Sequence, residues 1–262
     1  MNMKHDTAER PIGFEQSASV EKDRVIEALS EESSALRKYQ RFFVGTSGIG
    51  PLLRYEAAMW LAVGMPGALG YAARKWFLPP LFGEAGKGVT FGRNLILRCP
   101  NRIVLHNNVA IDDNCTLDAR GSSEPGGLTI GEGTLIARDV VMVVKQNQLS
   151  LGRHCSIGSQ TTFSAVSGIE IGDHAIIAGQ CYFGGGRYRT RLGSEPMVRQ
   201  GLVTRGPVRL GSDVWVGAGV RVLDGVRVGS GAILGAGSVV TSDVPENAIM
   251  GGIPARQIGE RF

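Results

Sequence analysis

The sequence predicts an all-β fold, a parallel β-helix of hexapeptide repeats with an α-helical N-terminal extension. Glycine is abundant (38 of 262 residues) and aromatic residues make up only 6% of the chain. This composition indicates many tight turns and argues against an ordinary layered α/β enzyme. Large apolar residues recur every six positions from about residue 88 onward, and an uncharged stretch over 57–73 precedes them. These features together separate an extension from a repetitive domain.

The extension divides into two parts. Residues 1–49 are polar and predicted to be a partly helical arm, in which Val25, Ile26, Leu29 and Leu36 recur at helical spacing. Residues 50–87 are apolar and predicted to form two short helices around the turn 65–67. The uncharged run is too short and too interrupted to span a bilayer, which needs about 20 apolar residues. The helices either pack on the base of the next domain or lie in a membrane interface.

The repeat region, predicted over 88–245 with a C-terminal tail over 246–262, has three faces of six residues per coil. Eighteen positions at this spacing are all apolar: Leu105, Ile111, Leu117, Ile130, Ile136, Met142, Leu151, Ile157, Phe163, Ile171, Ile177, Phe183, Leu210, Val216, Val222, Val228, Leu234 and Val240. Phe91 and Leu97 indicate a partial coil before them. Small residues occupy a second inward slot: Cys115, Cys155, Thr161, Ala175, Cys181, Ala232 and Ser238. We therefore expect the three cysteines to fill the core.

Two excursions interrupt the repeat, a short one over 118–129 and a long one over 184–207. The long loop is rich in arginine and contains Arg187, Arg189, Arg191, Arg199 and Arg205. A regular coil does not need such a loop, so it is the expected place for function.

One outer face is predicted to be covered. Trp215 precedes an inward valine and therefore points outward, and its column also contains Leu135, Ile176 and Ile233. The corresponding column one face earlier is more polar: Thr129, Ser150, Glu170, Arg209 and Arg227. The apolar column is either a contact between subunits or the wall of a binding site.

Several functions are disfavoured. The net charge of +4 and the absence of a basic run argue against a nucleic-acid partner. The four cysteines form no CxxC pair, so neither zinc nor a disulfide framework is expected. His106, His154 and His174 have the wrong spacing for the zinc of a γ-type carbonic anhydrase, and no metal is expected. The polar N-terminus lacks a signal-peptide core, which predicts a cytoplasmic protein. If the 50–83 segment contacts the membrane, the predicted location is the inner face of the cell membrane.

The segment LGSDVWVGAGVRVLDGVRVGSGAILGAGSVVTSDVP (210–245) and the segment GGIPARQIG (251–259) resemble the hexapeptide-repeat acyltransferases, which include galactoside, maltoside and capsular-sugar O-acetyltransferases. The N-terminal third resembles members associated with bacterial surface-polysaccharide synthesis. The resemblance implies a left-handed β-helix, a homotrimer and acetyl-CoA as co-substrate in a cleft between subunits. It also implies an acceptor that is a sugar of a surface glycan or its precursor.

The resemblance assigns cofactor contacts to seven residues. Backbone N–H groups around Gly217 and Ala218 would stabilise a developing oxyanion. Gly235 and Ala236 would line the pantetheine arm, and Ile253, Pro254 and Arg256 would lie near the adenine and the 3′-phosphate.

The chain departs from the family at the catalytic base, because the loop 184–207 contains no histidine. Tyr188 occupies the expected place, and His174, with Asp213 one coil later at the same corner, is the predicted replacement base. Arg187 and Arg189 would bind an anionic acceptor, and Trp215 would contact substrate. Two alternatives stay open: an N-acyltransferase acting on an amino-sugar, and a non-catalytic trimeric scaffold.

Overall fold

The repeat region forms a parallel β-helix of triangular cross-section. The computed structural model describes residues 20–21, 34–122, 126–193 and 195–262, so Val25, Ile26 and Leu29 of the predicted arm lie outside the described residues. Each coil passes through three faces, and equivalent strands of successive coils pair in parallel. The predicted fold class is confirmed.

The strands of each face follow the six-residue repeat. The first face contains Glu84–Ala85, Ile103–Leu105, Leu128–Ile130, Leu149–Leu151, Ile169–Ile171, Val208–Leu210 and Arg227–Val228. The second face contains Thr90–Phe91, Ala110–Ile111, Leu135–Ile136, Ser156–Ile157, Ile176–Ile177, Trp215–Val216, Ile233–Leu234 and Ala248–Gly251, with Arg256–Glu260 antiparallel at its edge. The third face contains Ile96–Arg98, Thr116–Asp118, Val141–Val144, Thr162–Ala165, Tyr182–Gly184, Arg221–Leu223 and Val239–Val240.

The core is a single column of large and small side chains inside the triangle. All eighteen predicted apolar positions are buried, none with more than 4% of its surface exposed. The prediction that small residues fill a second inward position is also confirmed, since Cys115, Cys155 and Cys181 are buried in the core. Phe163 and Phe183 stack one coil apart with ring centroids 4.9 Å from each other. Burial of this column supplies the main drive for folding.

The β-helix extends beyond the predicted limits at both ends. It begins at Glu84, which pairs with Val104, rather than at residue 88. At the other end the chain does not leave the helix at residue 245. Val244 bridges to Val228, and Met250 pairs with Leu234, so residues assigned to the tail complete a further coil. Val244 and Met250 are six residues apart and continue the repeat.

Three helices close the base of the β-helix. Helix α1 spans Ala35–Tyr39 and continues as a π-helical turn, Gln40–Val44. Helix α2 spans Ile49–Ala58 and continues as Met59–Val63, and helix α3 spans Gly67–Phe77. Short 3₁₀ turns follow at Pro79–Leu81 and Pro100–Arg102. Among the described residues, no helix is long and apolar enough to cross a membrane.

The helices are fixed to the first coil by buried polar contacts. The Tyr55 hydroxyl donates to the Leu97 carbonyl oxygen at 2.9 Å. The Arg74 guanidinium is buried and donates through Nε to the Phe91 carbonyl oxygen, also at 2.9 Å, and through Nη1 to that of Met65 at 2.7 Å. One side of the helical pair therefore packs on the base, as the first of the two alternatives predicted.

The long loop folds into a small antiparallel sheet. Arg187–Tyr188 pairs with Leu202–Val203, which pairs in turn with Val20–Glu21 from the N-terminal arm. A 3₁₀ turn, Met197–Arg199, lies between the two loop strands. The two loop strands are thus held by pairing with each other and with the N-terminal strand.

Candidate functional site

A cavity of about 610 Å³ lies where the long loop leaves the third face after Gly184 and returns toward the first face. We call it the loop cavity. It is lined by Tyr182, Gly184, Gly185, Gly186, Arg187, Arg205, Leu223, Asp224, Thr241 and Pro254. The loop cavity brings Arg187, predicted to bind substrate, together with Pro254, predicted to contact the cofactor.

Glycine at position 184 makes the loop possible. Its backbone has φ of +99°, and a Cβ there would lie 2.3 Å from the Ser164 carbonyl oxygen of the previous coil. Any other residue would strain the backbone and collide with it. The chain turns out of the coil at this point and forms one wall of the loop cavity.

The loop cavity has a positive rim. The Arg205 backbone N–H donates to Asp224 Oδ2 at 2.7 Å. The Arg205 side chain donates through Nη1 to the Thr241 carbonyl oxygen at 3.1 Å. Asp224 thereby fixes the returning end of the loop while the guanidinium of Arg205 reaches across the cavity wall. The lining thus contains two arginines and one carboxylate, and Arg205 Nε lies 4.0 Å from Asp224 Oδ1. Such a rim suits an anionic ligand such as a phosphate or carboxylate.

Tyr182, Arg205, Asp224 and Thr241 were not predicted as site residues. Only their positions in the sequence point to them: Tyr182 occupies the outward position two residues before the Gly184–Gly186 run, and Arg205 precedes the return to the coil. Tyr188, placed in the sequence at the expected base position, is half exposed and does not line the cavity.

The predicted cofactor residues lie at the corner between the second and third faces. The N–H groups of Gly217 and Gly235 donate to Leu234 and Met250 carbonyl oxygens of the next coil, each at 2.8 Å. Those donors are therefore already used in the ladder. Ala218 and Ala236 are exposed at the same corner, and no described residue accepts a hydrogen bond from either N–H. Of the predicted oxyanion donors, Ala218 is the one that can still bind a ligand.

The exposed C-terminal turn adjoins the loop cavity. Ile253 and Pro254 are exposed, and Arg256 begins the antiparallel edge strand with its guanidinium donating to the Ala255 carbonyl oxygen at 3.0 Å. Pro254 reaches the lining of the loop cavity, whereas Arg256 points to solvent beside it.

His174 and Asp213 lie at a different corner, between the first and second faces. Both adopt left-handed backbone conformations, with φ of 62° and 58°, as does His154 one coil earlier. The stacking of the three positions is as predicted, but the predicted His174–Asp213 contact is not formed. The His174 ring stacks on His154 with centroids 5.4 Å apart, and Asp213 Oδ2 instead accepts from Arg261 Nη1 at 2.8 Å. The Asp213 carboxylate is therefore paired with an arginine that directly follows the C-terminal edge strand.

Trp215 lies on the outer surface of the second face, as predicted. Its register partners are Ile176 and Ile233, and Leu135 lies further along the same column. In a single chain Leu135, Ile176 and Trp215 are each a little more than half exposed. The loop cavity opens from the third face, whereas Trp215 lies on the second face and His174 lies at the corner between the first and second faces. The described residues also include no group of three side chains suited to a metal ion.

Two family models match the repeat region. Residues 207–242 match the bacterial transferase hexapeptide (six repeats), and residues 148–182 match the hexapeptide repeat of succinyl-transferase. Over these two segments the chain is similar to the hexapeptide-repeat transferases. Both matched segments lie within the β-helix and flank the long loop.

Curated relatives of this hexapeptide-repeat protein are acyltransferases. It is 30% identical over 145 residues to a probable acetyltransferase of Mycobacterium tuberculosis, a match that covers 55% of this chain and 48% of that protein. It is 28% identical over 182 residues to a UDP-3-O-acylglucosamine N-acyltransferase of Methylobacterium nodulans, covering 69% of this chain and 38% of the relative. The chain thus spans about half the length, or less, of these relatives.

Solved structures share the fold. LpxA from Acinetobacter baumannii superimposes with a TM-score of 0.53 at 18% identity, covering 68% of this chain and 62% of LpxA. AntD, an N-acyltransferase from Bacillus cereus solved with dTDP and 3-hydroxybutyryl-CoA, gives a TM-score of 0.50 at 21% identity, covering 69% and 84%. These likenesses establish the β-helical architecture.

Proposed function

We propose that this protein is an acyl-CoA-dependent O-acetyltransferase that acts on a sugar of a surface polysaccharide or its precursor. The observation that carries the proposal is the loop cavity, whose positive rim adjoins the exposed C-terminal turn of a hexapeptide-repeat transferase. The cavity offers an anionic acceptor, such as a phosphosugar, a site beside the cofactor turn. Arg187 would bind the acceptor's charge, and Arg189 would extend the positive surface along the loop.

Acetyl-CoA would lie along the corner between the second and third faces. The small residues Gly217, Ala218, Gly235 and Ala236 would let the pantetheine arm approach the backbone, with Ile253 and Pro254 against the adenine and Arg256 near the 3′-phosphate. In the transfer, the acceptor oxygen attacks the thioester carbonyl carbon, the C–O bond forms, and the C–S bond breaks. The Ala218 N–H would stabilise the oxyanion, and the departing thiolate takes a proton.

A complete site would need more than one subunit. His174 and Trp215 lie on other sides of the triangle from the loop cavity, so a neighbouring chain would have to bring them to it. A homotrimer formed through the apolar column of Leu135, Ile176, Trp215 and Ile233 would do this. His174, oriented by Asp213 after Arg261 moves away, or Tyr188 would then take the acceptor's proton. We also propose that the enzyme works in the cytoplasm, where acyl-CoA is available.

N-acylation of an amino-sugar is a second candidate. The absence of histidine from the loop favours it, because a neutral amine needs less help from a base than a hydroxyl does. Hydroxylamine treatment of the product distinguishes the two, since it releases an ester-linked acetyl group and leaves an amide intact. A product whose acetyl group resists hydroxylamine would show that the enzyme is an N-acetyltransferase and not an O-acetyltransferase.

Calorimetric titration with CoA tests the cofactor site. We expect the Arg256→Ala variant to bind CoA roughly tenfold more weakly, because a charge-assisted contact to phosphate is lost. The matched control is Arg227→Ala, which removes an exposed arginine from the polar first face and should not change the affinity. Absence of CoA binding to the unmodified chain would favour the non-catalytic scaffold.

Paired variants test the base. His174→Ala and Tyr188→Phe are each compared with the unmodified chain for transfer rate and CoA affinity. Replacement of the residue that acts as the base should lower the transfer rate by a factor of about 10²–10⁴ without changing the affinity for CoA. Full activity in both variants would exclude both residues from that role.

A further inference from the structure

The helices at the base carry a strongly apolar face that the β-helix does not cover. We call it the base face. Its members are large apolar residues exposed on α2, its continuation and α3: Ile49, Leu53, Trp60, Leu61, Leu69 and Trp76. The two tryptophans are 86% and 79% exposed. Several large apolar side chains exposed on neighbouring helices mark a contact surface.

The base face is the side of each helix opposite the packed side. In α2 and its continuation, Tyr55, Ala58 and Ala62 are buried against the first coil, whereas Ile49, Leu53 and Trp60 are exposed at helical spacing. In α3, Gly70 and Arg74 are buried, whereas Leu69 and Trp76, seven residues apart, are exposed. The exposed apolar side of α2 and α3 therefore faces away from the β-helix.

The charge of this region is one-sided. Over residues 34–83 the basic residues are Arg37, Lys38, Arg41, Arg54, Arg74 and Lys75, and the single acidic residue is Glu56. Glu56 accepts a hydrogen bond from the Tyr39 hydroxyl. Arg54 and Lys75 are exposed on the same helices as the two tryptophans. The base face is thus bordered by positive charge.

We propose that the base face binds the surface of an anionic lipid bilayer. Exposed tryptophans flanked by aliphatic side chains and by arginine and lysine are typical of helices that lie in the bilayer interface. A bilayer fits better than a second copy of the chain, because a second copy would bring the same basic border against itself. Since no described helix can cross a membrane, the contact lies on the surface. The proposal goes beyond acyl transfer and does not depend on it.

Sedimentation of the full chain with lipid vesicles tests the proposal. We expect binding to mixed phosphatidylcholine and phosphatidylglycerol vesicles and weak binding to phosphatidylcholine alone. In a Trp215→Phe background the two remaining tryptophans are Trp60 and Trp76, so their fluorescence should shift to shorter wavelength on adding the mixed vesicles. Replacement of both by serine should lower the partition roughly tenfold or more.

Two leucine variants form a matched pair. Leu69→Glu lies on the base face and Leu192→Glu lies in the long loop, and both leucines are highly exposed. Leu69→Glu should lose vesicle binding, and Leu192→Glu should bind like the unmodified chain, with equal circular dichroism and melting temperature for both. Should a base-face variant fail to fold, Arg54→Glu with Lys75→Glu leaves the apolar face intact and should abolish the preference for anionic vesicles.

Three results would overturn the proposal. The first is no sedimentation with mixed vesicles. The second is equal loss of binding in Leu69→Glu and Leu192→Glu. The third is a lower mass of the Trp60→Ser/Trp76→Ser variant by light scattering without lipid, which would make the base face a contact between copies of the chain.

Discussion

At the scale of single residues, position within the six-residue repeat decides chemical behaviour. The four cysteines are free and buried. Burial raises the pKa of Cys99 to about 11 and that of Cys115 to about 11, and it also raises the pKa of Cys155 and Cys181. A buried thiol with a raised pKa is a poor nucleophile.

We therefore predict that the native chain does not react with a disulfide reagent at mildly alkaline pH. After unfolding in guanidinium chloride, all four thiols should react. The measurement is the absorbance of the released aromatic thiolate over time. Rapid labelling of any cysteine in the native chain would contradict the structural role.

Two corner carboxylates predict a dependence of stability on pH. The Arg93 backbone N–H, 2.6 Å from Asp113 Oδ1, lowers the pKa of Asp113, and the Arg153 guanidinium, 2.7 Å from Asp173 Oδ2, lowers the pKa of Asp173. Because the folded pKa values lie below those of the unfolded chain, both groups stabilise the fold above the ordinary aspartate pKa. That contribution is lost as the pH falls through the folded values.

The test is thermal unfolding at neutral and acidic pH. The Asp113→Asn/Asp173→Asn variant should lose less stability on acidification than the unmodified chain. An equal loss in both proteins would show that these carboxylates do not contribute.

The sequence predicts residue environments far better than residue partners. Inward and outward positions follow from strand alternation, so the buried column and the outward Trp215 could both be predicted. The partner of Asp213 could not be predicted, because Arg261 lies 48 positions later in the chain, just after the edge strand. The loop cavity was likewise only partly predictable, since Arg205, Asp224 and Thr241 meet through the return path of the loop.

At the scale of elements, stability depends on how closely successive coils approach. A Cβ on Gly217 would lie 2.6 Å from the Ala236 backbone nitrogen of the next coil. The glycine is therefore required by coil stacking, whether or not a cofactor passes this corner. The last coil was not predicted, although Val244 and Met250 continue the six-residue spacing, because the Asp243-Val244-Pro245 segment has the composition of a turn.

Gly217→Ala should consequently lower the free energy of unfolding by about 1–3 kcal/mol. Gly193→Ala is the control, because no atom lies within 4 Å of a Cβ at that loop position; it should change stability by less than about 0.5 kcal/mol. Denaturant titration of both variants gives the comparison. Equal stability of the two would mean that the coils can separate at this corner.

At the scale of the whole molecule, the apolar column of the second face predicts assembly. Ile176 is 56% exposed in one chain, and we propose that a trimer covers it. Ile176→Glu should then shift the mass measured by light scattering toward the monomer, because a charge would be buried at the contact. Val198→Glu, at an exposed loop position, should leave the mass unchanged. If light scattering gives the mass of a monomer for the unmodified chain at micromolar concentration, the proposal of a site shared between subunits loses its basis.

The central claim is that this β-helix transfers an acyl group from CoA to a sugar. Its most direct test is release of free CoA from acetyl-CoA across a panel of nucleotide sugars, amino-sugars and oligosaccharides. We expect release that depends on one class of acceptor and falls strongly in an Arg187→Ala/Arg205→Ala variant that still binds CoA. If the unmodified chain binds CoA but releases none with any acceptor, the chain is a scaffold and the claim is wrong.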